Sequence, residues 1–309
     1  MPSSAQRCAV TGATGYVGSR ISAYFATRGW TVYECARRPS PQPAPGRVHL
    51  PFHLDSPIDP AVFRDNGIRV VIHCAYDFRP VTWKDIRRVN MEGSARLLRA
   101  AKEAGVDKII YFSSISAFDG CSSLYGKAKL EIEKVAADVG AVIIRSGLVY
   151  GNQPSGGMFG SLQRLAAKSA IIPLIGSGRY MQYLIHEEDL CELLLRISSG
   201  EINFPPAPVV AASPHGWQLR DLIRVLAAPY HSSVRFLPVP WRAIWLGLKS
   251  LELFGIAVPF RSDSVISLVR QNPNPDFSLV AKMGYKVRDF KDSFPDALPA
   301  GPSETSQGI

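Results

Sequence analysis

Short apolar runs and amphipathic segments alternate along the first 150 residues. The apolar runs lie at 7–12, 30–36, 47–52, 69–75, 108–114 and 141–147, and the amphipathic segments lie at 16–29, 83–105 and 125–140. The apolar runs have the length and character of strands covered on both faces, whereas the longer segments keep helical spacing. Strands that alternate with helices form right-handed crossovers onto a parallel sheet. The sequence therefore predicts an α/β, Rossmann-type, doubly wound parallel sheet over residues 1–150.

The alternation ends after residue 150. Glycine-rich and proline-rich segments follow, and the later elements are shorter and less regular. We expect residues 151–298 to form mainly a smaller, partly helical substrate-binding lobe. Part of 183–212 is expected to return to the first domain, and 299–309 reads as a disordered tail.

Composition and charge exclude several classes of protein. The net charge is +9 over 309 residues, but no run of five basic residues occurs, which argues for an anionic small molecule rather than nucleic acid. The sequence contains no stretch of about 18 uninterrupted apolar residues, so it predicts no membrane span. Five cysteines without a CxxC pair fit reduced thiols in a cytoplasmic protein. The segment 241–260 predicts an amphipathic helix packed on the protein, or else a surface that rests on a membrane or a partner.

The segment "TGATGYVG" (11–18) lies between the first strand and its helix. Glycine permits a sharp turn and close approach of a pyrophosphate, and the helix N-terminus offers free N–H groups. In this position the motif predicts a dinucleotide site, although its spacing is GxxGxxG rather than GxGxxG. A tight turn without a ligand is the alternative. The residues expected at the cofactor are Gly12, Thr14, Gly15, Tyr16, Val17 and Gly18.

The end of the second strand carries information on the cofactor. NAD-binding proteins place an acid here that holds the ribose hydroxyls, whereas this chain has Ala36 followed by Arg37 and Arg38. Arginine pairs with a 2′-phosphate, so the pattern favours NADP(H) over NAD(H). Glu34 is the alternative ribose ligand if the strand ends earlier, and a solvated turn is the alternative role of the two arginines.

Tyr125 and Lys129 are four positions apart on a predicted helix and therefore share a face. A nearby ammonium is expected to lower the pKa of a phenol, which would suit Tyr125 to proton exchange with a substrate oxygen. Ser114, at the end of the fifth predicted strand, would hold the same oxygen. Ser113 and Ser116 are close alternatives, because a one-residue slip in register reverses the faces of a strand.

The segments "TGATGYVG", "VIHCA", "VNMEGSARLLRAAKEAGV", "KIIYFSS", "YGKAK" and "IIRSGLVYG" together resemble the extended short-chain dehydrogenase/reductases, the NAD(P)-dependent epimerase/dehydratase superfamily. The resemblance implies that Tyr125 is the acid/base, that Lys129 is its partner and ribose ligand, and that Ser114 binds the oxygen. It also implies hydride transfer between nicotinamide C4 and a keto or hydroxyl carbon. A nucleotide sugar or related small molecule would be the substrate, and a homodimer is possible.

The same resemblance assigns supporting residues. Asn90 would support the site, Asp55 with the adjoining Leu54 would lie near the adenine, and Ala75 would line the cofactor. No metal is expected. A nucleotide-sugar epimerase with tightly bound NAD and a non-catalytic cofactor-sensing protein are the alternatives to a reductase.

The chain departs from the family pattern near the substrate. Ser146 stands where proline is usual, and Gln182 stands where nucleotide-sugar members carry an arginine, for which Arg179 is a possible substitute. His186 is interpreted as a structural residue at a helix start. The candidate substrate residues are Tyr76, Arg79, Trp83, Asn152, Gln182 and Arg270.

Overall fold

A parallel sheet forms the centre of the molecule. The computed structural model describes residues 6–151, 156–204, 206–256 and 260–293. Within these ranges the main sheet has seven parallel strands in the order β10-β6-β5-β4-β1-β2-β3. The strands are β1 (Arg7–Thr11), β2 (Thr31–Ala36), β3 (Arg47–Pro51), β4 (Val70–His73), β5 (Lys108–Ser114), β6 (Val142–Ser146) and β10 (Val209–Ala211). The predicted Rossmann-type fold class is confirmed.

Helices cover both faces of this sheet. They are α1 (Tyr16–Ala26), α2 (Ala61–Asp65), α3 (Trp83–Ile86), α4 (Glu92–Glu103), α5 (Leu124–Asp138) and α7 (Glu187–Ser199). Alternate residues of each strand feed opposite cores, as the two-residue period of a strand requires. In β1, for example, Cys8 and Val10 pack with α1 and α7, whereas Ala9 belongs to the core that contains residues of α4 and α5.

The predicted helix at 83–105 contains one irregularity. The segment Arg87–Met91 between α3 and α4 is π-helical, and Asn90 lies inside it. Insertions of this kind in helices are rare and are frequent at functional sites. The π-helical turn therefore marks the position of Asn90 beside the loop that follows β4.

The remaining elements form a smaller lobe. Its strands are β7 (Leu148–Tyr150), β8 (Ile171–Ile175), β9 (Met181–His186), β11 (Gly216–Gln218) and β12 (Arg235–Val239). Its helices are α6 (Gly157–Lys168), α8 (Leu219–Ala227), α9 (Trp241–Leu253), α10 (Ser262–Val269), α11 (Ser278–Lys282) and α12 (Phe290–Ser293). β11, β9 and β7 form one small sheet, and β12 pairs with β8 in another.

Helix α9 corresponds to the amphipathic segment predicted at 241–260. It packs beside α10, but it has no buried residue, and Leu246 and Leu253 are 61% and 77% exposed. No helix in the described ranges is long and apolar enough to cross a bilayer. The predicted tail at 299–309 lies outside the described residues.

Candidate active site

The glycine-rich turn forms an open cradle at the carboxyl end of β1. Gly12 has φ +70°, and a Cβ there would lie 3.0 Å from the backbone of Ala75. A Cβ on Gly18 would lie 2.3 Å from the carbonyl oxygen of Gly12. Gly15 is the N-cap of α1, whose first turn contains no acidic residue. Exposed backbone and an unopposed helix N-terminus fit the pyrophosphate of a dinucleotide.

The other predicted residues of this turn have different environments. Thr14 is exposed at the turn, whereas Val17 packs against the hydrophobic core. Tyr16 donates its hydroxyl hydrogen bond to Glu187 Oε2 at 2.6 Å, and Arg20 pairs with the same oxygen at 3.1 Å. Sequence analysis missed Glu187 because it is 171 positions from Tyr16 and only the fold brings the two together.

The structure separates the two candidate cofactor determinants near the end of β2. The strand ends at Ala36, which is buried, and Arg37 and Arg38 follow it on the surface. Glu34 is 4% exposed, and its carboxylate lies 2.6 Å from a guanidinium nitrogen of Arg47. This ion pair engages the Glu34 carboxylate within the protein, so binding of a ribose by Glu34 would require the pair with Arg47 to rearrange.

The residues predicted near the adenine lie between β3 and α4. The carboxylate of Asp55 lies 3.2 Å from Arg88. Leu54 is buried, and its carbonyl oxygen accepts a hydrogen bond from Arg96 at 2.8 Å. A Cβ on Gly93 would lie 2.4 Å from that oxygen, so only glycine allows α4 to pack this closely.

Two hydrogen-bonded contacts hold the loop after β4. The amide of Ala75 donates to Thr11 Oγ1 at 3.1 Å. Asn90 Oδ1 accepts from the Asp77 amide at 2.7 Å, and Asn90 Nδ2 donates to the Asp77 carbonyl at 2.9 Å. The π-helical turn therefore fixes the loop that carries Tyr76.

Tyr125 and Lys129 lie on one face of α5, next to the loop after β4. The Lys129 ammonium is 2% exposed, donates to the Phe112 carbonyl at 2.7 Å, and lies 5.9 Å from the ring centroid of Tyr125. The Tyr125 ring packs against Tyr76 and Phe78, with centroid distances of 5.0 and 5.7 Å. These aromatic contacts leave little freedom for the Tyr125 ring.

The electrostatics of the pair differ from the sequence-based expectation. Burial raises the pKa of Tyr125 to about 12, while a hydrogen bond with Ser114 acts in the opposite direction. Burial lowers the pKa of Lys129 to about 8, against smaller opposing effects of Cys74 and Glu133. The expectation that the ammonium lowers the pKa of Tyr125 is therefore wrong for the protein alone, because desolvation dominates at both groups. The phenol is protonated at neutral pH.

The structure also separates the candidate serines. Ser113 is 1% exposed and donates to Glu133 Oε1 at 2.5 Å, on the face of β5 opposite the cavity. Ser114 and Ser116 both line the cavity beside Tyr125, and the Ser116 amide donates to Ser114 Oγ at 3.2 Å. The register therefore directs Ser114, rather than Ser113, toward Tyr125.

A cavity of about 1020 Å³ extends from Tyr125 into the smaller lobe. Of the candidate substrate residues, Tyr76, Arg79 and Gln182 line it, as does Ser146. Trp83 and Arg270 lie on the surface and do not line it. Asn152 lies outside the described residues.

Asp263 on α10 was not found by sequence analysis. Its two carboxylate oxygens accept hydrogen bonds from the backbone amides of Leu124 and Tyr125, at 2.8 and 2.9 Å. The smaller lobe therefore caps the N-terminus of the helix that carries Tyr125. No sequence signal links Asp263 to a helix 138 residues away.

His186 occupies the structural position that the sequence predicts. It is the N-cap of α7, it is 1% exposed, and its Nδ1 accepts from the Glu188 amide at 3.2 Å. It does not line the cavity. In the part of the chain that the structure describes, no group of three His, Cys, Asp or Glu residues is placed to hold a metal ion.

Comparisons with known proteins agree with this geometry. Ceramide reductase of Caulobacter vibrioides (strain NA1000 / CB15N) is 30% identical over 198 residues, or 60% of this chain and 59% of that protein. Methionine adenosyltransferase 2 subunit beta of Pongo abelii is 30% identical over 164 residues, or 47% and 48%. The matched parts thus span about half to three fifths of the length of these relatives.

A solved structure shows the same fold over nearly the whole chain. MoeE5 in complex with UDP-glucuronic acid and NAD superimposes with a TM-score of 0.71 at 18% identity, covering 95% of this chain and 97% of that one. The model of the NAD dependent epimerase/dehydratase family matches residues 8–203. The resemblance to the extended short-chain dehydrogenase/reductases is confirmed, and the chain belongs to the NAD dependent epimerase/dehydratase family.

Proposed function

We propose that this protein is an NAD(P)-dependent oxidoreductase that reduces a carbonyl group of a small molecule. The observation that carries the proposal is the position of Tyr125. It shares a face of α5 with Lys129, and together with Ser114 at the end of β5 it lines a large cavity; the glycine cradle follows β1 of the same parallel sheet. The groups proposed as proton donor, oxygen-binding hydroxyl and dinucleotide cradle therefore lie at the same edge of the sheet.

The division of labour follows from the side chains. A bound reduced nicotinamide supplies the hydride that the carbonyl carbon gains. The Ser114 hydroxyl donates a hydrogen bond to the carbonyl oxygen, and the Tyr125 phenol gives that oxygen its proton as the C=O bond becomes C–OH. Lys129 lies 5.9 Å from the Tyr125 ring, and with the cofactor bound its charge would offset part of the desolvation cost of the phenolate that remains.

The protonated Tyr125 phenol of the cofactor-free protein suits the proton transfer to a carbonyl oxygen that reduction requires. A phenol with a pKa of about 12 is a proton donor at neutral pH and not a base. Oxidation of an alcohol would first require deprotonation of that phenol.

The proposed cofactor is NADP(H) in preference to NAD(H). Arg37 and Arg38 are exposed directly after β2, and the nearest acid on that strand, Glu34, is buried against Arg47. The position directly after β2 suits a guanidinium to a 2′-phosphate.

The proposal includes the organisation of the chain. Residues 1–150 would hold the cofactor, and 151–298 would mainly hold the substrate, with part of 183–212 returning to the first domain. The homodimer implied by the resemblance, through α4 and α5, is tested by sedimentation velocity at several concentrations.

A nucleotide-sugar epimerase with tightly bound NAD is the second candidate. The observation that favours it is the fold shared with MoeE5, which was solved with UDP-glucuronic acid and NAD. An epimerase would retain its cofactor and show no net oxidation of added NADPH. A non-catalytic cofactor-sensing protein would bind nicotinamide without any turnover.

The test is the Tyr125→Phe variant, with Tyr230→Phe as a matched control because Tyr230 is 62% exposed. General acid catalysis contributes about 100- to 10,000-fold, so we expect Tyr125→Phe to lose at least about 100-fold in NADPH oxidation with a ketone. NADPH affinity should stay within about twofold of the parent. Turnover that survives in Tyr125→Phe, while Tyr230→Phe behaves identically, would contradict the proposal.

A further inference from the structure

The wall of the cavity beside Tyr125 is mainly apolar. The cavity volume of about 1020 Å³ is at the upper end of the range of about 300–1,000 Å³ for small-molecule sites. Its lining includes Phe78, Leu124, Met158, Ile256 and Leu268, contributed by the loop after β4, by α5 and by several elements of the smaller lobe. Contact with a wall of this kind makes the binding free energy of a hydrocarbon ligand more favourable, whereas burying a phosphate against it is costly.

Most charged groups of the wall are already engaged within the protein: Arg79 pairs with Asp77, and the Arg164 guanidinium donates to Ser161 Oγ at 3.0 Å. The Arg261 guanidinium donates to the carbonyl oxygens of Phe78 and Pro80, and it lies 3.7 Å from Glu252. Asp263 holds the N-terminus of α5. A diphosphate would have to displace these contacts.

Gln182, which stands where nucleotide-sugar members carry an arginine, is also hydrogen-bonded within the protein. Gln182 is 4% exposed, and its Nε2 donates to the Met181 carbonyl at 2.8 Å. Its amide therefore offers no charge and at most one further N–H donor, whereas an arginine would give a diphosphate a charged fork of donors. The polar groups that face the cavity near Tyr125 are instead hydroxyls, those of Ser114 and Ser116 among them.

The apolar wall continues onto the surface. Phe78 and Ile256 both line the cavity and are 58% and 51% exposed. Leu253 and Phe254, which precede Ile256 in the chain at the end of α9, are 77% and 82% exposed. Exposed apolar side chains at a site are typical of places where apolar ligands bind.

We propose that the carbonyl substrate is an amphiphile with a long aliphatic chain. The chain lies along the apolar wall toward Ile256, and the carbonyl lies at Tyr125 and Ser114. The inference deepens the proposed function and rests on it for the carbonyl. The aligned relative named as a ceramide reductase is consistent with this substrate class, because ceramides carry long aliphatic chains.

The test measures binding of a chain without any turnover. The fluorescent probe 11-(dansylamino)undecanoic acid is titrated onto the cofactor-free protein and then displaced by hexanol, octanol and decanol. Full burial of one methylene is worth about fourfold in affinity, so we expect displacement to strengthen about two- to fourfold per methylene. UDP-glucose at the same concentrations should leave the probe bound.

The matched variants are Ile256→Asp and Leu237→Asp. Leu237 and Ile256 are both about half exposed, at 54% and 51%, but only Ile256 lines the cavity. We expect Ile256→Asp to weaken probe binding at least about tenfold and Leu237→Asp to leave it unchanged, with equal thermal unfolding temperatures showing that both fold.

Three results would overturn the inference: absence of probe binding, displacement without chain-length order, or displacement by UDP-glucose at lower concentration than by decanol. NADPH is titrated onto the same sample. If the protein does not bind NADPH but the alcohols still displace the probe in order of chain length, the proposed function alone is refuted. If the protein binds NADPH but displacement of the probe shows no order of chain length, this inference alone is refuted.

Discussion

Replacing Lys129 with methionine should stabilise the cofactor-free protein while it abolishes turnover. Lys129 is 2% exposed, and its ammonium has one hydrogen bond, to the Phe112 carbonyl. The rings of Tyr76, Tyr111 and Tyr125, 5.0 to 5.9 Å away, compensate this buried charge only in part, and methionine keeps the length and shape of the side chain without the charge.

The magnitude follows from the pKa of the ammonium. A fall from the ordinary 10.5 to about 8 corresponds to about 3 kcal/mol of stability that the charged Lys129 costs the folded state at neutral pH. The variant loses the charge-assisted hydrogen bond to the Phe112 carbonyl, worth about 2 kcal/mol. The expected net gain at pH 7 is therefore about 1 kcal/mol, or a rise in Tm of about 2–4 °C.

The gain depends on pH in a defined direction. Between about pH 8 and 10.5 the unfolded wild-type chain binds more protons at Lys129 than the folded chain, so wild-type stability rises with pH through this window. The stability of Lys129→Met relative to wild type should fall by about 2 kcal/mol between pH 7 and pH 10. Thermal unfolding of both proteins without cofactor, at both pH values, measures it.

The control is Lys127→Met, since Lys127 lies on the same helix but is exposed. The stability of this variant should not exceed that of wild type, and the difference between the two should not change comparably with pH. A Lys129→Met protein that is less stable than wild type at pH 7, or whose advantage does not change with pH, would refute the reasoning.

Three further predictions concern the neighbouring residues. Asp263→Ala removes two charge-assisted hydrogen bonds from the first turn of α5 and should cost about 2–3 kcal/mol in unfolding free energy. Its kcat should fall because Tyr125 loses this support, and Asp263→Asn should recover part of both the stability and the kcat. An unchanged kcat in Asp263→Ala would show that the cap does not position Tyr125. Gly18→Ala forces a Cβ to within 2.3 Å of a backbone oxygen and should weaken dinucleotide binding at least about tenfold in a fluorescence titration, a result that unaltered affinity would contradict. The double variant Arg37→Ala, Arg38→Ala should weaken NADPH binding about 10- to 100-fold and change NADH binding little, whereas equal losses for both cofactors would exclude recognition of the 2′-phosphate.

The sequence was most informative for elements whose type and bounds follow from the hydrophobic pattern of the segment alone. The strand β5 was predicted at 108–114 and occupies Lys108–Ser114, because a buried parallel strand is a continuous apolar run. The helix at 125–140 begins one residue earlier, at Leu124, with Ser123 as its cap.

Contacts between distant segments were beyond that reasoning. Asp263 caps α5 from the other lobe, and Glu187 meets Tyr16 across most of the chain; neither contact has a local pattern. The electrostatic expectation was wrong for a related reason. Spacing places Lys129 beside Tyr125, but only the packed structure shows that both groups are desolvated and that desolvation is the largest effect on the pKa of each.

The central claim is that an exchangeable nicotinamide, preferably NADPH, drives carbonyl reduction at Tyr125. The most direct measurement is a fluorescence titration of the purified protein with NADPH and, separately, with NADH, after its absorbance has been examined for bound cofactor. We predict an empty protein that binds NADPH more tightly than NADH and oxidises it when a ketone is added. Tightly held NAD that neither exchanges nor undergoes net oxidation would contradict the account and indicate an epimerase cycle instead.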